Sequence, residues 1–213
     1  TYDQSDLIVQ KIIMYEQTPR TDNTDWYTHA TLVGDPSSSG ITCVQIQQWL
    51  KEKLRDDLGY TQIDTIFTSP FVTQMRNSVN QGCTYFGYRG YWGMSGWDTG
   101  DIYALTNTEM LPFCLNLTCG TGTFYEGTSI NEAWLRAGQI DEENYIPRGG
   151  IGSIATATLG THTRYNNCYY SGAAYGLFWD ETYQLGPCGA RGKVELLLNY
   201  EDYQYSMAGR FIY

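Results

Sequence analysis

The strongest constraint on the fold is an apolar run that closes on a thiol and is followed at once by glycine. Leu111 to Leu117 leads into Thr118-Cys119-Gly120-Thr121-Gly122-Thr123-Phe124. A short apolar run bounded by turn residues reads as a buried strand. Such a strand leaves the Cys119 sulfur at its end with little side-chain bulk beside it. Open α/β sheets keep their chemistry there, outside the carboxyl ends of the strands. The same cysteine also reads as a small apolar group closing a strand, because free cysteine is commonly buried.

The flanking sequence alternates between two periodicities. Strand patterns fall at Thr28 to Val33, Ile63 to Phe67, Thr84 to Tyr88 and Ile151 to Ala157. Helical patterns fall at Asp6 to Glu16, Cys43 to Leu58 and around Val72 to Val79. A capping box, Ser129-Ile130-Asn131-Glu132, opens a helix running to about Ala137. Helical patterns recur at Ala174 to Trp179 and Lys193 to Asn199, and Arg210 to Tyr213 begins a last strand. This alternation predicts an α/β fold, a mostly parallel sheet flanked by helices with right-handed crossovers.

Composition removes several functions. The 213 residues suffice for one domain with a substantial core. Net charge is −10, from 13 basic and 23 acidic residues, with no Lys/Arg cluster, so nucleic-acid binding by phosphate neutralisation is excluded. No apolar run has the length of a membrane span. Six cysteines without a CxxC pair, and only two histidines, give a structural zinc site little to build on. Cys168 and Cys188 flank a glycine- and tyrosine-rich segment and are expected to pair, a closure worth about 3 kcal/mol in the chain-entropy view. Nineteen tyrosines and 23 glycines with few lysines lean towards an extracellular or cell-surface setting. The sequon Asn116-Leu117-Thr118 lies inside the predicted strand and is discounted.

Four predicted strands end in glycine-bearing loops, and a parallel sheet gathers those ends on one edge. That edge collects Asp35, Arg89, Tyr91, Cys119 and His162. An imidazole beside a thiol is the minimum for nucleophilic attack on a carbonyl, with backbone N–H groups of the turns holding the oxyanion. Each residue also has a plainer reading. His162 between two threonines suits a turn hydrogen bond, and Asp35 before Pro36 is a common turn residue. Arg89 can pair with a carboxylate, and His29 falls inside a strand pattern as a structural residue. Tyr91, Trp92 and Trp97 suit a core or a pocket wall equally.

The order of segments resembles a known family. Gly59-Tyr60-Thr61-Gln62-Ile63 through Trp97, then Leu105-Thr106-Asn107, Leu111-Pro112-Phe113 and Leu117 to Phe124, are similar to the catalytic subdomain of gingipain-type (peptidase family C25-like) cysteine peptidases. Glu132-Ala133-Trp134-Leu135-Arg136-Ala137 and Gly149 to Thr158 continue the likeness. The resemblance implies a three-layer caspase-like sandwich that hydrolyses protein or peptide substrates outside the cell through a Cys119 thiolate. It also implies that residues 1–20 are the tail helix of a preceding subdomain. Residues 21–213 would then be the catalytic subdomain, truncated at a last strand that in the family continues into a Gly-Asp-Pro motif. Calcium is a cofactor by resemblance alone.

One departure bears on the chemistry. The family's base histidine lies in Tyr-x-Gly-His-Gly, whereas this chain reads Tyr88-Arg89-Gly90-Tyr91-Trp92-Gly93, with Tyr91 at the histidine position. A tyrosine, titrating near about 10, is a poor base for a thiol near about 8.5. Two readings follow. In the first, His162 supplies the imidazole to Cys119. The N–H groups of Gly90, Tyr91, Trp92 and Cys119 form the oxyanion hole, and Asp35, Trp92 and Arg164 contact substrate, with Asp35 favouring a basic side chain. In the second, the chain is an inactive peptidase-like scaffold, an extracellular structural, filament or binding subunit that associates with itself or with other parts of the same precursor.

Overall fold

A computed structural model describes residues 2–140, 144–200 and 211–212 of the chain. In chain order the elements are α1 (Tyr2–Gln17), β1 (His29–Gly34), α2 (Thr42–Leu58), β2 (Gln62–Ile66), α3 (Phe71–Gln81), β3 (Tyr85–Trp92), α4 (Thr99–Tyr103) and β4 (Phe113–Cys119). There follow α5 (Ile130–Arg136), β5 (Gly138–Ile140), β6 (Tyr145–Pro147), β7 (Gly152–Thr156), α6 (Thr163–Phe178), α7 (Leu185–Asn199) and β8 (Phe211–Ile212). Residues Arg210 and Tyr213 of the expected last strand lie outside the described residues.

The main sheet has the order β2-β1-β3-β4-β7-β8, and β5 and β6 form a separate hairpin. Pairings are parallel from β2 through β7, and only β8 is antiparallel. β1 is buried at every position, as expected of a strand covered on both faces. The chain lays β2 on one side of β1 and returns to lay β3 on the other. This reversal opens a crevice at the carboxyl ends of the central strands.

Alternate strand residues feed two cores. Ala30, Leu32, Tyr85, Leu115, Leu117 and Ile154 pack against Leu50 and Leu54 of α2, Tyr169, Tyr170 and Ala173 of α6, and Leu196 of α7. Val33, Ile66, Phe86, Tyr88 and Cys114 pack on the other face against Met75, Val79, Ile102 and Trp134 of α3, α4 and α5. The result is helix, sheet, helix. Asn116 is fully buried in this arrangement and donates to Ser153 Oγ at 3.1 Å. His29 is buried at the amino end of β1, with Nε2 3.0 Å from Asp64 Oδ2, which also accepts from Ser78 Oγ at 2.6 Å. The His29 bond, followed by the Ser78 bond, holds the Asp64 carboxyl below its ordinary pKa.

Two expectations need correction. α6 and α7 begin well before the apolar periodicity shows them, because their first turns are rich in asparagine, tyrosine and glycine, residues of modest helix propensity. Tertiary contact supplies what propensity does not. A Cβ on Gly172 would lie 2.5 Å from the Glu195 Cβ, so the two helices approach almost backbone to backbone. Cys168 and Cys188 are both free thiols rather than a disulfide. Gly172 and Gly176 meet Glu195 and Arg191, an antiparallel register that sets Cys188 beside Ala173, whose carbonyl accepts from its Sγ at 3.2 Å. Cys168 lies towards the opposite end of the helix pair.

α1 is anchored by one buried cation. Lys11 is only 2 % exposed, and its Nζ donates to the carbonyls of Trp134, Leu135, Ala137 and Arg148 at 2.6–3.2 Å. These include carbonyls left unpaired at the end of α5. Burial lowers the Lys11 pKa from 10.5 to about 7. Lys11→Met removes the Nζ donor from all four oxygens, although Trp134 O keeps Gly150 N and Ala137 O keeps Arg148 N, and is expected to cost roughly 1.5–3 kcal/mol, read from urea midpoints. Above pH 7 the unfolded chain keeps a proton that the folded lysine has released, so the contribution of Lys11 to stability rises with pH. The difference between wild type and Lys11→Met should therefore widen between pH 7 and 8.5. Buried thiols such as Cys83, raised to about 12, act with the opposite sign at higher pH and cancel in that difference.

Candidate active site

Cys119 is the last residue of β4, in the middle of the sheet and at the carboxyl edge. The turn after it is held by Thr121, whose Oγ1 donates to Asn116 O at 2.6 Å and Thr118 O at 2.8 Å. Gly122 N donates to Thr156 O at 2.9 Å, and Asn131 N to Thr121 O at 2.9 Å, tying the turn to β7 and α5. The predicted capping box is present, with Glu132 N donating to Ser129 Oγ at 3.2 Å and Ser129 N to Glu132 Oε2 at 2.8 Å. Gly120 has φ +82, and a Cβ there would approach Trp92 Nε1 to 3.1 Å. The positive φ favours glycine there, and any side chain would have to displace the indole slightly.

The thiol meets Thr161 in the loop between β7 and α6. Sγ donates to Thr161 O at 3.5 Å and lies 3.3 Å from Thr161 Oγ1. His162, the next residue, caps α6, and its Nδ1 accepts from Arg164 N at 3.4 Å. An accepting Nδ1 places the proton of the neutral ring on Nε2. The imidazole is thus next to the thiol's partner in sequence, but its present bond is to a helix terminus.

Beneath this edge is Arg89, completely buried. Its Nε donates to Asn167 Oδ1 at 2.8 Å, Nη1 to Leu117 O and Nη2 to Thr163 O at 3.4 Å. Among the described residues it meets no carboxylate. The cation is held by uncharged oxygens, and burial lowers its pKa. Its three bonds join the residue two before Cys119 to the residue after His162.

β3 reaches the site through a bulge. Arg89 pairs with Leu117, yet the next pair is Trp92 with Cys119, so β3 spends one residue more than β4. Trp92, rather than Tyr91, is therefore opposite Cys119. Both side chains are exposed, at 69 % and 61 %.

A cavity of about 1080 Å³ collects Gly90, Tyr91, Trp92, Cys119, His162 and Arg164, together with Ser38, Ser39 and Thr42 from the other side. Asp35 is not among its lining residues. Its carboxylate accepts from Ser37 N at 2.9 Å and from Ser95 Oγ, which lies 2.6 Å from Tyr88 Oη. Thr161, Asn167 and the α7 residues Glu195 and Asn199 are site residues that the sequence reading did not single out. The start of α6, concealed by its composition, was the signal that would have located the first two. Among the described residues no three His, Cys, Asp or Glu side chains converge to hold a metal. Among the same residues no helix is long and apolar enough to cross a membrane.

A parallel sheet between helical layers, with a thiol at a central strand end, defines a caspase-like cysteine-peptidase-like domain. The fold matches the crystal structure of the Arg specific cysteine proteinase gingipain R with a TM-score of 0.81 at 20% identity, over 96% of this chain and 49% of that one. It matches a complex of Porphyromonas gingivalis RgpB pro- and mature domains with a TM-score of 0.81 at 21% identity, over 95% and 50%. The chain belongs to peptidase family C25, which it matches over residues 1–213. Gingipain R2 of Porphyromonas gingivalis (strain ATCC BAA-308 / W83) is 28% identical over 161 residues, 70% of this chain and 21% of that protein. Gingipain R1 of Porphyromonas gingivalis is 27% identical over 161 residues, 70% of this chain and 16% of that protein. The chain thus spans about a fifth of the length of such curated relatives.

Gly120→Ala forces a side chain into a left-handed backbone and against Trp92. The expected loss is roughly 1–2 kcal/mol of stability, measured by urea unfolding.

Proposed function

We propose that the chain is the catalytic part of an extracellular cysteine endopeptidase, with Cys119 as nucleophile and His162 as its base. The observation that carries this reading is the shared cavity. Within it the thiol of Cys119 contacts Thr161 and the imidazole belongs to the next residue. For catalysis the His162 ring gives up Arg164 N and turns Nδ1 towards Sγ, a rearrangement in keeping with the loose hydrogen bonds of unliganded sites. The thiol proton passes to the imidazole, Sγ bonds to the scissile carbonyl carbon, and the carbonyl π electrons move to oxygen. N–H groups of Gly90, Tyr91, Trp92 and Cys119 receive that oxyanion, and the bulge in β3 supports their role by interrupting the ladder. The imidazolium protonates the amine as the C–N bond breaks, and water then hydrolyses the thioester. The likeness to a complex of pro- and mature domains supports association with other parts of a precursor.

One observation favours a second reading. Trp92 occupies the register position opposite Cys119, and Tyr91 stands beside it, so two exposed aromatics rim a thiol with no bonded histidine. Such a rim suits a scaffold that binds peptide, or another copy of itself, without cleaving it.

The experiment is iodoacetamide alkylation of Cys119 at pH 7, followed by peptide mass spectrometry, alongside hydrolysis of a quenched peptide library. Under the peptidase reading, His162→Ala slows alkylation by about tenfold and lowers turnover by about 10²-fold or more, and Cys119→Ala abolishes turnover. Equal alkylation in both proteins, with no hydrolysis in either, transfers the assignment to the scaffold.

A further inference from the structure

We infer that the Cys119 cavity takes a peptide whose residue on the acyl side of the scissile bond carries a carboxylate, aspartate or glutamate, with Arg164 as its partner. This rests on the peptidase reading for turnover but not for binding. The sign of the charge in the cavity carries it. Asp35, the carboxylate that the sequence offers for a basic substrate, is absent from the lining and is taken up by Ser37 and Ser95. Among the described residues Glu195 is the one acid lining the cavity, and each of its oxygens accepts a hydrogen bond. Arg191 Nη1 donates to Oε2 at 2.6 Å and Asn199 Nδ2 to Oε1 at 2.9 Å. Among the described residues, no lining carboxylate is without a bonded partner.

The positive charge of Arg164, by contrast, has no carboxylate partner among the described residues. Arg164 Nη2 donates to Tyr165 Oη at 2.7 Å, and its guanidinium carbon lies 4.7 Å and 5.8 Å from the ring centres of Tyr165 and Tyr200. Stacking on aromatic rings fixes the plane of the guanidinium and leaves N–H groups along its edge, the geometry that receives a carboxylate through two parallel bonds. Arg89, buried below with uncharged partners, adds a second positive charge that water screens little. Ser39, another lining residue, has its Oγ buried without a hydrogen-bond partner. Asn166 Oδ1, likewise buried and unpaired, remains as an acceptor for a substrate N–H.

The test uses internally quenched peptides with amidated ends that differ only at the residue before the scissile bond: Asp, Glu, Gln, Arg or Lys. The expected result is kcat/KM for Asp or Glu at least tenfold above Arg and Lys, with the ratio reversed in Arg164→Glu and lowered in Arg164→Gln. A preference for Arg or Lys, or a ratio that neither variant moves, overturns the inference. So does a requirement for a free C-terminal carboxylate, tested with the unamidated peptides. Fluorescence anisotropy with Cys119→Ala separates this inference from the peptidase reading. If no peptide is cleaved, tighter binding of the Asp peptide than the Lys peptide upholds the carboxylate site and rejects turnover. Equal binding rejects the site.

Discussion

The geometry of the site depends on one buried cation. Removing a guanidinium from water costs several kcal/mol unless its donors are satisfied, and Arg89 has no anion to help. It is retained by Leu117 O, Asn167 Oδ1 and Thr163 O, from β4 and α6, which are adjacent to the thiol and the imidazole in sequence. Any drift of α6 away from β4 would strip a buried charge of its partners. The penalty for that drift is steeper than an apolar contact would impose, and this holds the Thr161–His162 loop over Cys119. A second buried chain acts in the same direction: Tyr85 Oη donates to Tyr170 Oη at 2.9 Å, Tyr170 Oη to Gln47 Oε1 at 2.8 Å, and Gln47 Nε2 to Val33 O at 2.9 Å. It links β3, α6, α2 and β1 below the site, so the strand ends are fixed relative to one another before any substrate arrives.

The stretch that the resemblance aligns with the family's histidine is the stretch that carries the bulge in β3. A bulge adds one residue to one strand and turns the residues around it. In this chain the extra residue falls between Arg89 and Trp92, where the family pattern has a single residue between its glycines. Aligning by sequence puts Tyr91 in the histidine position, whereas the pairing puts Trp92 opposite Cys119. Both follow from a strand that gains a residue at its end. The indole then lies over Gly120, whose positive φ and missing side chain accommodate it. A large apolar ring holds that place, and His162 follows β7 at the same carboxyl edge of the sheet.

The sheet was legible because its strands carry their own punctuation. The runs at β1, β2, β3, β4 and β7 are apolar and closed by glycine or a turn, and each lies within a few residues of its predicted limits. The capping box marks α5 directly, since Ser129 and Glu132 bond each other. What the sequence concealed depends on tertiary contact. The first halves of α6 and α7 have weak periodicity, and tertiary contact supports them: Gly192 leaves room for the Tyr169 ring, and Cys188 donates to Ala173 O. The pairing of Cys168 with Cys188 was a distance argument along the chain, and the antiparallel register of two helices defeats it. At the site, Cys119, His162, Trp92 and Arg164 share the cavity, as strand-end reasoning brings them together. Asp35 has the right loop but the wrong direction, because Ser37 N and Ser95 Oγ, both local in the fold, satisfy its carboxylate first.

Charge outside and inside the site have opposite signs. The chain as a whole carries −10. At physiological ionic strength that field decays over about 8 Å, so it governs approach through solvent rather than contact in a cavity. Among the described residues the relevant charges of the cavity are Arg164 on the wall and Arg89 beneath, with Glu195 bonded to Arg191, which also bonds Asp180. A basic peptide is therefore drawn to the surface of the molecule but finds no anion at the thiol. An acidic one is repelled at a distance and met at contact. Selectivity arranged in this way belongs to the last few ångströms of binding, where desolvation strengthens each charge-assisted bond, and two arginines near Cys119 outweigh a surface of acids that the bound residue does not touch.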